Sequence, residues 1–177
     1  GTAALFRRRA LDEVGLLDED YFAHMEEVDL AWRLHLAGYN GVRIPQAVVY
    51  HYSGKTLANT ERWKMYLNHR NSLACLVKNY SLANLVWILP LRIVFEWGTI
   101  CISLLRGDWR RGPAALKVQL EFPIVFFRFF SKRRQVQKTR RVSDLQVMKK
   151  MYWGSIVVQH FMLGKCQTAQ ILHRYEL

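Results

Sequence analysis

The run GLLDEDYFAHMEEVDLAWRLHLAGY, residues 15–39, decides most of how this chain reads. From Glu26 onward Val28, Leu30, Ala31, Leu34 and Ala37 fall close to helical spacing, and Gly38 supplies a C-terminal stop. Ahead of this helix lies a loop dense in acids and aromatics. Ahead of that, residues 5–14 read as a short helix ended by Gly15. Glu26, Glu27 and Asp29 crowd the first turn of the second helix, where the helix dipole favours carboxylates. Asp29 and Arg33 stand at i,i+4, the spacing of an ion pair on one helix face. Two readings of the acids stay open. They are helix-start acids and no more, or Glu27 is a general base. In the second reading the neighbouring Glu26 raises its proton affinity, so that it can take a proton from an acceptor hydroxyl.

Downstream, residues 42–50 (VRIPQAVVY) read as extended, with Pro45 arguing for an edge or irregular strand. His51 at its end is a surface histidine or a metal ligand. HYSGKTL is a loop by composition. Its Ser53-Gly54-Lys55-Thr56 is not a phosphate loop, because Val49 stands where the first glycine is required. Lys55 offers charge to a diphosphate, and so does Arg70 in the helix read over TERWKMYLNHRNSLACLVKNY; solvated surface charge is the plainer account of both.

The rest of the chain has another character. Of 177 residues, 26 are Lys or Arg and 14 are Asp or Glu, for a net charge of +12. Residues 1–80 hold 10 basic and 9 acidic side chains; residues 81–177 hold 16 and 5. A domain boundary near residue 80 follows, with soluble enzyme material over 1–80 and a basic, amphipathic helical region over 81–177. Apolar residues make up 51%, which excludes long disorder. Cys75, Cys101 and Cys166 form no CxxC pair, which excludes a disulfide scaffold or a structural zinc site. Residues 82–105 are long enough to cross a bilayer, but Arg92 and Glu96 make crossing costly and Pro90 would kink the helix. Helices lying in the interface fit better, with Trp87, Trp97, Trp109, Phe126, Phe127, Phe129 and Phe130 at headgroup depth. Arg128, Lys132, Arg133, Arg134, Lys138, Arg140 and Arg141 would then meet anionic lipid. An amphipathic bundle with a solvated basic run is the alternative. Nucleic acid is not expected as a partner, since no RNP, KH or zinc-finger pattern occurs.

The residues 15–39 resemble the family 2 glycosyltransferases, which show G-x-hydrophobic-D-E-x-F-F, an acidic pair, V-D-L-x-x-R and a G-Y turn. Pro45, Ala47, Val49 and His51 match the family's P-x-A-x-V-x-H, and Arg70-Asn71 matches its Arg-Asn pair. The opening GTAALFRR is similar too, and WILPLRIVFEW and LLRGDWRRGPAAL look like the tails of bacterial rhamnosyltransferase-like members. The resemblance implies an α/β fold, the C-terminal part of a GT-A nucleotide-sugar transferase sandwich followed by a mainly helical, membrane-associating tail. It makes Glu27 the catalytic base of an inverting transfer, with Glu26 positioning the acceptor or tuning Glu27. Glu stands here where Asp is usual, moving the carboxylate by roughly 1.5 Å. It makes His51 a ligand of a divalent metal (Mn²⁺ or Mg²⁺), and Lys55, Arg70 and Asn71 substrate-binding residues. The implied partners are a nucleotide-sugar donor, a glycan or lipid-linked acceptor and an anionic membrane surface at the cytoplasmic face of the bacterial inner membrane. The donor half with its metal-binding Asp-x-Asp is not in the sequence; Asp18-Glu19-Asp20 belongs to the acceptor-side loop. A missing N-terminal half of the same enzyme is therefore a further expected partner, and the fragment is expected to be inactive alone. The alternative function is a non-catalytic module that binds a membrane surface or an anionic polymer.

Overall fold

The computed structural model describes residues 3–42, 44–51, 61–151 and 164. Two compact units divide the chain, Gly1–Val142 and Ser143–Leu177. The first holds α1 (Arg8–Val14), a single 3₁₀ turn (Glu19–Tyr21), α2 (Glu26–Leu36), α3 (Glu61–Asn79), α4 (Leu82–Leu105) and α5 (Arg111–Thr139). In the second, α6 (Asp144–Met148) starts with a reciprocal capping box between Ser143 and Gln146.

Every regular element among the described residues is helical, which overturns the expected α/β sandwich. The physical reason lies in residues 44–51. They are exposed throughout, find no strand to pair with, and fold only into a turn in which the Ala47 N–H donates to the Ile44 carbonyl at 3.1 Å. Alternating Val and Tyr make a strand only where one face is buried against a partner.

The helical expectations fare better. Val14, Leu30 and Ala37 form a small core between α1 and α2, with Leu11, Leu34 and Tyr39 packed against it. Gly15 ends α1 at φ +84°, and Gly38 follows α2 at φ +86°, backbone conformations that suit glycine. The long helix α3 runs through the middle. Its face of Leu67, Leu73, Ala74, Cys75 and Val77 is buried, and α5 packs along it. The apolar-aromatic stretch and the basic run that follow residue 110 are one continuous helix, α5, with Pro123 inside it. Pro90 likewise lies within an unbroken α4. Ser81 caps α4, its hydroxyl accepting from the Asn84 N–H at 3.4 Å.

Part of the basic run at the end of α5 is engaged within the molecule, while Arg128, Arg134, Lys138 and Arg141 keep exposed side chains. Arg133 donates to the carbonyls of Val77 (2.7 Å) and Tyr80 (2.5 Å), and Arg140 to that of Asn79 (2.5 Å), satisfying orphan carbonyls at the end of α3. Arg128 and Lys132 pair with Asp20, and Lys132 also pairs with Asp18. Arg141 pairs with Glu13. Arg92 and Glu96 also turn inward. Glu96 is fully buried, its carboxylate 2.6 Å from His69 Nδ1 on α3 and paired with Arg92. Both charges leave the outer face of α4 to Val86, Trp87, Leu91, Val94, Phe95, Ile102 and Leu105, all exposed.

The centre of the first unit is Asp29. Its carboxylate has no exposed surface and takes four donors. Arg33 Nε and Lys78 Nζ reach Oδ2 at 2.8 Å each; Asn79 Nδ2 reaches Oδ1 at 2.8 Å, and the Tyr21 hydroxyl at 3.2 Å. Arg33 goes on to the carbonyls of Val14 (2.6 Å), Gly15 (3.1 Å) and Leu16 (2.8 Å). One carboxylate thus ties α1, the acidic loop, α2 and α3 together. Removing one partner of a buried charge set leaves the others desolvated and unpaired, at a cost of about 3–5 kcal/mol. Asp29→Ala is expected to lower unfolding stability by about that much in a denaturant titration; a loss below about 1 kcal/mol contradicts this role.

Candidate active site

Glu26 and Glu27 open α2 and are half-buried. The segment that delivers them is strained. Phe22, His24 and Met25 all have positive φ (63°, 67° and 71°) although none is glycine. Phe22, at ψ −61°, forms the centre of a γ-turn in which the Ala23 N–H donates to the Tyr21 carbonyl at 2.8 Å. This positive-φ hand of the γ-turn is rare and costly.

Two side chains of α3 hold the strained turn. Asn71 is fully buried, and its amide nitrogen lies 2.9 Å from the Tyr21 carbonyl, 2.8 Å from that of Ala23 and 2.8 Å from that of His24. Arg70 donates one nitrogen to the Asp20 carbonyl at 2.9 Å and to the Asn71 side-chain oxygen at 2.9 Å, with its guanidinium over the Phe129 ring. The Arg-Asn pair therefore acts on the loop beneath the acids. Asn71 reaches that loop from inside the fold, with no exposed surface to offer a ligand.

Within that frame Glu26 keeps carboxylate oxygen Oε2 buried with no hydrogen-bond partner among the described residues, and so does His24 with Nε2. Burial pushes the Glu27 carboxyl upward, but its own backbone N–H and the Glu26 side chain bond to it, and it sits below the ordinary glutamate value. The raised proton affinity expected from two adjacent carboxylates is not what the structure shows: the Glu27 carboxyl is lowered, and its own backbone N–H donates to the charged form.

The remaining candidates lie elsewhere. His51 is exposed at the end of the exposed 44–51 segment. Among the described residues no three His, Cys, Asp or Glu side chains gather to hold a metal ion. Lys55 lies outside the described residues.

Sequence reasoning missed the polar network beside the acids. Asp18 accepts from Lys78 at 2.8 Å and Lys132 at 2.5 Å; Asp20 accepts from Lys132 at 2.5 Å and Arg128 Nε at 2.8 Å. The partners stand 60 and more residues away along the chain (for Asp18 and Lys78, |i−j| is 60), beyond any local pattern. A cleft of about 500 Å³ opens along this network, lined by Leu16, Leu17, Asp18, Asp20, Arg33, Lys78 and Lys132 among others.

The chain is similar to two proteins of Mycobacterium tuberculosis, from strains CDC 1551 / Oshkosh and ATCC 25618 / H37Rv, each named N-acetylglucosaminyl-diphospho-decaprenol L-rhamnosyltransferase. Identity to each is 32% over 114 residues, covering 63% of this chain. The chain spans only 37% of the length of these relatives. This supports a glycosyltransferase-like relationship. No family model and no solved structure matches the chain.

Acid stability follows from the network. Arg128 and Lys132 hold the Asp20 carboxyl far below its ordinary value. Asp18 is also lowered: burial opposes this, but bonds from Lys132 and Lys78 outweigh it. Depressed carboxyl values stabilise the fold fully above the ordinary aspartate value of about 3.9 and lose that contribution as pH falls below it. Unfolding free energy is therefore expected to be flat from about pH 7 to 5 where these two groups dominate, and to fall below about pH 4, with a shallower fall in Asp20→Asn. Identical acid limbs in the two proteins contradict this assignment.

Proposed function

We propose that this chain forms the acceptor-side catalytic part of an inverting, family 2-type glycosyltransferase. The reaction would move a sugar, a hexosyl or rhamnosyl unit, from a nucleotide-sugar donor to a cell-envelope glycan or lipid-linked acceptor. The observation that carries the reading is the acidic pair Glu26-Glu27 delivered by a strained, internally braced turn, inside a chain similar to two rhamnosyltransferases. Strain of this kind persists where the surroundings over-determine it, and it clusters at functional sites.

In this mechanism the Glu27 carboxylate accepts the proton of an acceptor hydroxyl. The freed oxygen attacks the anomeric carbon of the donor sugar, the bond from that carbon to the diphosphate breaks, and the electron pair leaves with the nucleotide diphosphate. Configuration inverts because attack and departure are on opposite faces. Glu26 orients the acceptor. A lowered Glu27 pKa keeps the base ionised and ready at neutral pH, while its weaker basicity leaves more of the driving force to the leaving group. In this reading Lys55 and Arg70 offer positive charge to the substrate, and His51 is this chain's candidate ligand for a divalent ion on the donor; no step is routed through that ion. Donor binding would rest on another part of the same enzyme.

We also propose peripheral contact with the cytoplasmic face of the inner membrane. Its basis is apolar; part of the basic run of α5 is engaged internally. The outer face of α4, and Leu120, Ile124 and Phe127 of α5, expose large apolar side chains (Val94 64%, Phe127 71%). Leu82–Leu105 is long and apolar enough to cross a membrane by length and composition. Its inward salt bridges to α3, a helix of polar mean character, favour lying in the interface over spanning.

In the full-length enzyme, Glu27→Gln is expected to reduce transfer by about 10²–10⁴-fold with thermal stability and membrane association unchanged. Full activity in that variant removes Glu27 as the base. In flotation with phosphatidylglycerol-containing vesicles, the chain is expected to rise with the lipid. The pair Phe95→Asp and Phe127→Asp, at exposed positions, should leave it in the dense fraction; equal flotation of variant and wild type contradicts the apolar docking face.

A further inference from the structure

We propose that the corner between α4 and α5 is an anionic-phospholipid docking site, in which Arg106, Arg110 and Arg111 meet lipid phosphates while Leu105 and Trp109 enter the interface. The inference rests on the membrane-contact reading above and names the lipid charge that the apolar face alone does not select.

The corner is built, not merely a loop. Gly107 ends α4 in the left-handed region at φ +68°; its N–H donates to the Leu104 carbonyl at 3.1 Å, and the Asp108 N–H to the Ser103 carbonyl at 2.8 Å. This pair of bonds is a Schellman close, which satisfies the last carbonyls of α4. Gly112 then lets the two helices meet: a Cβ there would stand 3.3 Å from that of Ser103. The one acid of the corner is engaged by backbone, since Asp108 Oδ1 accepts from the N–H groups of Arg110 and Arg111 at 3.1 Å each.

What this frame displays is apolar and cationic together. Leu105 is 87% exposed and Trp109 63%. Arg106, Arg110 and Arg111 are exposed around them. Between Trp97 and Leu116 the charged residues are these three arginines and Asp108, a net of +2 (3 − 1). The exposed face of α4 runs through Leu91, Val94 and Ile102 to Leu105, so it ends in the corner.

Charge complementarity decides the occupant. An uncharged bilayer would cover Leu105 and Trp109 but give the guanidinium groups no counter-charge. A free phosphate or a nucleic acid would neutralise the arginines and leave the leucine in water. A bilayer surface carrying anionic phospholipid answers both. Tryptophan favours headgroup depth, and arginine stems lie along apolar surface while their heads reach phosphate. Each arginine near such a surface strengthens binding roughly fivefold.

The test is flotation of this chain with vesicles of phosphatidylcholine alone and of phosphatidylcholine with phosphatidylglycerol. The wild type is expected to prefer the second by at least about tenfold, and to lose that preference as salt is raised. The triple variant Arg106→Gln, Arg110→Gln, Arg111→Gln should float equally with both, each single change should lower the preference roughly two- to fivefold, and three Arg→Lys changes should retain it. The control removes the same charge at the other end of α5, where Glu13 of α1 pairs with Arg141. There the variant Arg7→Gln, Arg8→Gln, Arg9→Gln should keep the preference. Excess glycerol phosphate should displace nothing. Thermal midpoints check folding, and the single variants carry the test if the triple one does not fold. A preference that survives in the corner variants, an equal loss in the α1 variant, displacement by glycerol phosphate, or a wild type that floats equally with both vesicles overturns the corner site and leaves the apolar docking face standing. A wild type that floats with neither overturns the membrane reading as well.

Discussion

The first unit depends on the neutralisation of Asp29. A carboxylate with no access to water is tolerable only when its charge is matched and its lone pairs are occupied. Here Arg33, Lys78, Asn79 and Tyr21 do this from four directions. The consequence is geometric more than energetic. Arg33 also binds the carbonyls at the end of α1, Lys78 also binds Asp18, and Tyr21 begins the strained turn. Each donor that serves Asp29 therefore also fixes a piece of backbone, and those pieces meet next to Glu26 and Glu27. Burial drives the Tyr21 phenol pKa upward, which keeps its proton available to Asp29.

The turn at residues 22–25 is the beneficiary. Three left-handed residues in succession of four would relax in isolation. They are held from one side by the Asn71 amide and from the other by the helix that starts at Glu26. The arrangement converts stability in the core into definition at the surface. α5 joins in from the far end of the chain, with Arg128 and Lys132 clamping Asp20 and Asp18.

How much of this was legible in the sequence divides along physical lines. The helices α1, α2 and α3, and the glycine stops of α1 and α2, could be read from the sequence, because these signals are sequence-local. So could the Asp29–Arg33 pair at i,i+4. The resemblance of residues 15–39 to glycosyltransferases pointed to the acidic pair, and the similarity to the two mycobacterial proteins supports the class. The expected sheet has no counterpart among the described residues, where residues 44–51 have strand composition without a strand partner. The partners of Arg128, Lys132 and Arg133 were not legible, because Asp18, Asp20 and the end of α3 lie more than fifty residues earlier. Arg92 and Glu96 looked like obstacles in an apolar helix until α3 supplied His69 and Ser72 as partners. Nothing local announces the γ-turn at Phe22, since phenylalanine is among the residues least suited to it.

The dependence of the acidic turn on its support from α3 can be measured at single amides by hydrogen exchange. In the wild type the Ala23 amide, bonded to the Tyr21 carbonyl, and the Asp29 amide, bonded to the Met25 carbonyl, should both be protected. With Asn71→Leu, protection at Ala23 should fall by at least about tenfold while amides in the middle of α5 keep theirs. Unchanged protection at Ala23 in that variant would mean that the turn holds itself, and that the bracing of the acidic pair from α3 is not what shapes it.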